Sequence, residues 1–191
     1  FYSMWSADHY TQSTKNTEDE MYHIPFDKRY LIGNERYSLT GFPTFYLSSS
    51  IYSCWEECNR CNLDFSNVAL FKNSDKLLFL DMLLPKPNSS IQDKTLLGIP
   101  LILASRLKVA HDKGKFVPEY IIPQLLMECV IKSRSESESE IIIGIRYESI
   151  HQSERDLIFD NFYKKKLFLN YAIPPFESSD KSLNNLLSPT Q

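Results

Sequence analysis

Apolar residues along this chain fall in short runs separated by polar or proline-bearing stretches. Phe1-Tyr-Ser-Met-Trp5 opens as a strand and passes into a polar run, expected as loop through residue 20. Thr44 to Leu47 is β-branched and aromatic, as a buried strand requires. Leu77 to Leu84 is a second apolar run, closed by Pro85 and Pro87, and Ile141–Tyr147, Asp156–Phe162 and Leu167–Tyr171 read as further strands. Three stretches carry helical spacing. Ile51, Cys54, Trp55 and Cys58 fall at i, i+3, i+4 and i+7. Leu96 to His111 places Leu97, Leu101, Ala104 and Leu107 or Lys108 inward, with Pro100 tolerable only in its first turn. Pro118 opens a helix through Ile131, in which Pro123 predicts a late start or a kink. Short strands with interleaved helices predict an α/β or α+β domain.

The chain is organised around residues 36–58: an arginine, a Gly41-Phe-Pro43 turn, an aromatic strand, three serines and a helix with two glutamates. Ser48, Ser49 and Ser50 offer an N-cap for that helix. At 100° per residue, Glu56 lies roughly 150° from the centre of the apolar face and Glu57 roughly 110° from it. Glu56 is therefore expected in solvent, and Glu57 on the margin, where it can enter a cleft beside the core. With Arg36 close in sequence, this unit suggests a polar site for an anionic ligand. An ordinary strand–helix unit with a solvated acid pair has the same pattern.

Composition narrows the choice. The 191 residues, 42% hydrophobic, suffice for one folded domain, and a net charge of −3 leaves no electrostatic footprint for nucleic acid. No apolar run approaches the roughly 20 residues of a membrane span, and no signal peptide is visible, so no membrane partner and a cytoplasmic setting are expected. A chain beginning at Phe1 suggests a missing N-terminal segment. Cys58-x-x-Cys61 invites a metal reading, but no second pair follows at ligand spacing, and Cys54 and Cys58 fall on the apolar helix face. His23 reads as a structural histidine. Residues 132–140 form an acidic Ser/Glu stretch expected as a loop, and Lys164–Lys166 a solvated turn. The domain is expected over 1–173, with 174–191 a poorly ordered Ser/Pro/Asn-rich tail.

Two blocks of sequence carry a resemblance. Residues 21–57 run Met-Tyr-His-Ile-Pro-Phe-Asp-Lys-Arg, then Arg-Tyr-Ser, Gly-Phe-Pro, Phe-Tyr-Leu and Cys-Trp-Glu-Glu; downstream come Glu119-Tyr-Ile-Ile-Pro-Gln-Leu-Leu126 and Ile143-Gly-Ile-Arg-Tyr-Glu-Ser149. In this order they resemble the RES-domain family, typically toxins of bacterial toxin–antitoxin pairs that break the nicotinamide–ribose bond of NAD. The resemblance implies a mixed two-sheet core with flanking helices, similar to ADP-ribosyltransferases. It further implies NAD as substrate, no metal, a possible antitoxin partner, and water, phosphate or protein as acceptor. It makes Arg36 and Glu57 the catalytic candidates: Glu57 to stabilise positive charge developing on the ribose, Arg36 to bind a phosphate or ribose oxygen bidentately. Tyr46, Ser50 and Ser149 become candidates for holding NAD, and Arg29, on a neighbouring turn, could line the same cleft. The family's first-strand arginines are replaced here by Ser3 and Trp5, which implies a missing phosphate contact. A degenerate, non-catalytic RES domain serving as a protein-interaction module is the alternative, and a zinc adaptor built on Cys54, Cys58 and Cys61 a more remote one.

Overall fold

The computed structural model describes residues 1–6, 22–73, 76–85, 93–110, 116–136, 141–150, 168–176 and 186–190. Its elements run β1 (Tyr2–Ser6), β2 (Phe45–Ser48), α1 (Ile51–Glu57), β3 (Ser66–Asn73), β4 (Leu78–Asp81), α2 (Asp93–Ser105), α3 (Ile121–Glu136), β5 (Ile142–Glu148), β6 (Leu169–Ile173) and β7 (Leu187–Pro189). Short 3-10 turns cover Phe26–Leu31, Leu63–Phe65 and Pro118–Tyr120. The expected Asp156–Phe162 strand, the Lys164–Lys166 turn and the loop before residue 20 lie largely outside the described residues.

The strands make one seven-stranded mixed sheet in the order β4-β5-β6-β2-β1-β3-β7. Only β4 and β5 run parallel. The class is the mixed α/β one expected, but the two sheets implied by resemblance are joined. The reason lies in β1, which meets β2 through the single pair Tyr2↔Ser48 and then turns its remaining length onto β3, from Tyr2↔Leu70 to Ser6↔Ser66. The sheet is therefore nearly forked between β2 and β1.

Side-chain alternation assigns the two faces. Phe45 and Leu47 pair with Ile173 and Tyr171 and pack with Tyr22, Ala69, Phe71 and Leu187 in one core. Tyr46 and Ser48 pair with Ala172 and Asn170 on the other face, where Ile102 of α2 and Met127 and Val130 of α3 pack on Tyr37, Ile145 and Ala172. Gly144 lets β5 approach β6: a Cβ there would stand 2.4 Å from the Ala172 carbonyl oxygen.

Several elements depart from the sequence pattern. Helix α2 begins at Asp93, which puts Pro100 inside it rather than in its first turn. Among its described side chains the buried ones are Ile102 and Ser105, while Leu97 is 79% exposed and Leu101 42%. Apolar residues surround this helix almost completely, so spacing did not select a face. Helix α3 follows a 3-10 turn, leaving Pro123 in the first turn, where its missing N–H costs nothing. It also continues to Glu136, into the stretch expected as an acidic loop. Arg134 explains this extension: its guanidinium donates to the carbonyls of Ile142 (3.3 Å), Ile143, Pro174 (3.1 Å) and Pro175 (3.2 Å) and lies 4.0 Å from the Phe176 ring centroid. The tail expectation is likewise corrected at Leu187–Pro189. That segment pairs with β3, and fully buried Leu187 accepts from the Tyr22 hydroxyl at 2.8 Å. No described helix is long and apolar enough to cross a membrane.

Candidate active site

Helix α1 starts where expected. Ser50 is its N-cap, its hydroxyl accepting from Ser53 N at 3.1 Å. Its buried residues, however, are Ser53, Cys54 and Glu56, and Ile51 is 48% exposed. Glu56, expected in solvent, is 5% exposed and accepts from Arg60 at 2.9 and 2.7 Å. The chain past the helix makes this possible: Asn59 and Arg60 adopt φ of 53° and 56°, a left-handed turn that folds Arg60 back over Trp55 and Glu56. The helical wheel of the four apolar positions carries no sign of that return.

Glu57 is the carboxylate directed at the sheet. Its Oε1 accepts from Ser149 Oγ at 2.5 Å and from Asn170 Nδ2 at 2.6 Å. Asn170 is in turn fixed by two hydroxyls, Ser48 Oγ at 2.6 Å and Ser53 Oγ at 3.0 Å, both donating to its Oδ1. These bonds set the amide's orientation, so its N–H faces Glu57. Strand β6 and the residue just past β5 thus meet one part-buried carboxylate of α1 through charge-assisted hydrogen bonds, the stronger kind.

Arg36 sits in a tight hairpin closed by mutual Glu35–Ser38 backbone bonds of 3.2 Å. Gln124 of α3 fastens that hairpin, its Nε2 donating to Asn34 Oδ1 (2.7 Å), Glu35 O (3.0 Å) and Ser38 O (3.2 Å). The Arg36 guanidinium is 8% exposed, lies 5.2 Å from the Tyr120 ring centroid, and donates to Ser105 O and Leu107 O, each at 2.9 Å. Each terminal nitrogen thus gives one N–H to a carbonyl at or just past the end of α2, which ties the guanidinium to that backbone.

A cleft of about 830 Å³ is lined by residues of α1 and by Lys108–Ala110, in the segment that follows α2. Tyr46, Tyr120 and Tyr147 line it with Glu35, Glu57 and Lys108. Tyr46 accepts from Tyr37 N at 3.3 Å, and Tyr37 and Tyr147 rings pack at 4.6 Å. Burial raises the Tyr46 and Tyr147 phenols well above their ordinary value and Tyr37 to about 12, so all three stay neutral hydroxyls. The Glu35 carboxyl is raised by desolvation first and by the Glu57 charge second. Cys54 and Cys58 also line the cleft, but burial pushes their thiols up to about 11 and about 12. Neither is a thiolate nucleophile at neutral pH.

Of the residues singled out in sequence, Arg36, Tyr46 and Glu57 line the cleft and Ser149 supports Glu57. Ser50 is the helix cap and does not line it. Arg29 stands exposed on its 3-10 turn, away from the lining. Ser3 is corrected more sharply. Its strand neighbours Tyr2 and Met4 take the cleft face, because Tyr2 pairs with Ser48 and Met4 lines the cleft, so position 3 points to the opposite side. His23 is buried, its Nδ1 within 2.9 Å of Ile24 O and its ring against Phe26, in keeping with a structural role. Asn170, Glu35, Tyr147 and Lys108 were missed. Asn170 did carry a signal, as an asparagine inside the apolar run Leu167-Phe-Leu-Asn-Tyr-Ala-Ile173.

Over 198 aligned positions the chain is 34% identical to a Bacillus subtilis (strain 168) protein named Putative toxin YopC. It is a homologue of that protein. The match covers 93% of this chain and 43% of YopC, so the chain spans less than half the relative's length. No protein-family model and no solved structure matches the chain.

Proposed function

We propose that this domain breaks the nicotinamide–ribose bond of NAD and acts as a toxin by doing so. The observation that carries the reading is Glu57, a carboxylate fixed by Ser149 and Asn170 beside a tyrosine-walled cleft. Cleaving the glycosidic C–N bond sends its electron pair to nicotinamide, which leaves neutral, and builds positive charge on the ribose. A preoriented carboxylate stabilises that charge as it forms, without reorganising. Water then adds its oxygen to the anomeric carbon and releases a proton, giving ADP-ribose; phosphate or a protein side chain could serve as acceptor in the same position.

Tyr46, Tyr120 and Tyr147 supply faces for the planar nicotinamide or adenine ring, and a cleft of about 830 Å³ is of the size that takes a dinucleotide. The relative's name supports the toxin part of the proposal, and the order of RES-like motifs supports the NAD part. A toxin of this kind would be held in check by an antitoxin protein. Incubating the purified chain with NAD and identifying products by chromatography tests the reading: free nicotinamide is expected. A chain that leaves NAD intact while retaining a folded, saturable protein partner would be the non-catalytic module instead.

A further inference from the structure

A dinucleotide carries its negative charge on the diphosphate, and a side-chain cation meets such a charge with charge-assisted hydrogen bonds. Three arginine positions suggested by sequence are otherwise disposed. Arg29 is exposed and outside the cleft, Arg36 is 8% exposed and gives one N–H of each terminal nitrogen to a carbonyl, and position 3 faces the far side of the sheet. Lys108 remains. It lines the cleft, its side chain is exposed, and among the described residues it has no hydrogen bond or ion pair.

We propose that Lys108 is the diphosphate-binding group of this cleft, and that Arg36 is a positioning residue acting through it. The inference rests on the NAD reading above. Lys108 follows α2 in a backbone segment fastened on both sides. Arg36 holds the carbonyls of Ser105 and Leu107, the latter in the peptide bond to Lys108 itself. Arg106 bonds Glu148 of β5 at 2.6 Å, and Ala110 N donates to Glu119 Oε1 at 3.2 Å. The backbone is thus rigid where the ammonium stem begins, while the stem itself projects freely. Glu57 comes from α1 and lines the same cleft, so a substrate held by Lys108 would lie along the cleft with its ribose toward the carboxylate. A lysine suits this task as a compact charge with three donors that needs no fixed fork geometry.

The test is calorimetric titration of the intact chain with NAD and nicotinamide riboside (which has no phosphate), each as its uncleavable carbocyclic analogue, and with inorganic pyrophosphate. Lys108→Ala should weaken NAD binding roughly 10- to 150-fold, the loss of one charge-assisted contact. It should flatten the salt dependence of that binding and leave nicotinamide riboside unchanged. Lys108→Arg should recover NAD affinity to within a few-fold. Arg36→Ala should weaken NAD binding also, and adding Lys108→Ala to it should cost little more, because both act through one contact. If NAD binds the native chain and Lys108→Ala changes neither affinity nor salt dependence, the Lys108 assignment is overturned while the NAD reading stands. If the native chain binds neither NAD nor the riboside, the NAD reading fails, and pyrophosphate decides the rest: binding lost in Lys108→Ala keeps Lys108 as an anion site, and no binding removes it.

Discussion

The two walls of the cleft are built in opposite ways. On the α1 wall the functional group is itself the most tightly held: Glu57 is gripped by Ser149 and Asn170, and Asn170 by Ser48 and Ser53. On the wall carried by the 34–38 hairpin and the segment after α2, the buried charge, Arg36, holds the backbone, and the cleft cation Lys108 stands exposed beside it. A group that must stabilise developing charge gains from being immobile. A group that must catch a flexible, solvated diphosphate can keep its own freedom if its anchor is rigid. The contrast predicts that damage to the first wall reaches chemistry and stability together, whereas damage to the second reaches substrate affinity.

Asn170→Ala strikes the first wall hardest after Glu57 itself. It strips two buried hydroxyls of an acceptor and a carboxylate of a donor, for a loss of about 2–3 kcal/mol. In a domain of this size that lowers Tm by roughly 4–12 °C. Turnover should fall with it at temperatures where the variant is still folded. Unchanged Tm in a thermal melt would mean that the Ser48–Ser53–Asn170–Glu57 chain is not a cooperative unit.

Gln124→Ala probes the second wall. Three hydrogen bonds to the 34–38 hairpin disappear, but the site is half-exposed and water can replace the donor, so about 1 kcal/mol of stability is expected to go. Its kinetic signature should be a raised KM for NAD with kcat nearly intact, because the hairpin positions Arg36 and, through it, the 105–110 segment. A fall in kcat at unchanged KM would reverse the division between the walls.

How much of this was legible in the chain differs between the walls as well. Glu57 and its helix were readable because a short strand, an N-cap serine and a helix follow one another locally, and the wheel placed Glu57 at a margin. The neighbouring Glu56 was not, because its burial depends on the left-handed turn at Asn59–Arg60 that returns a guanidinium to it. Arg36 was found, but its partners are carbonyls some seventy residues away, which no spacing rule reports. Lys108 was read only as a possible inward residue of a helix that in fact ends at Ser105. In the fold, β1, β2, β4, β5 and β6 were recovered from apolar runs, whereas β3 was not read as a strand and the face of α2 was not found, since leucines surround it. The β7 pairing and the role of Arg134 were hidden by polar composition, where single long-range contacts decide the structure.

Glu35 offers the smallest and most specific check. Its folded carboxyl is raised above the ordinary 4.5 by desolvation and by Glu57, so the fold disfavours its ionised form. Below the ordinary value both folded and unfolded chains hold the proton and the penalty is absent; it develops as pH rises through the ordinary value to the folded one. Glu35→Gln should therefore raise the unfolding midpoint slightly near neutral pH and not at all below about pH 4. Replacing Glu57 by Gln at the same time should shrink that gain, since part of the shift is its charge. A gain that persists at low pH would show that the effect is packing rather than charge.

The most direct measurement is single-turnover NAD cleavage, with nicotinamide quantified, by the native chain, Glu57→Gln and Glu56→Gln. Glu57→Gln should retain fold and NAD affinity while losing at least ~10²-fold in rate, the scale for removing an electrostatic stabiliser. Glu56→Gln removes the charge of a buried carboxylate from its pair with the exposed Arg60 and should lower Tm slightly while leaving the rate per folded molecule within a few-fold. Equal rate losses in both variants, or full activity in Glu57→Gln, would contradict the claim that Glu57 is the carboxylate that carries the chemistry.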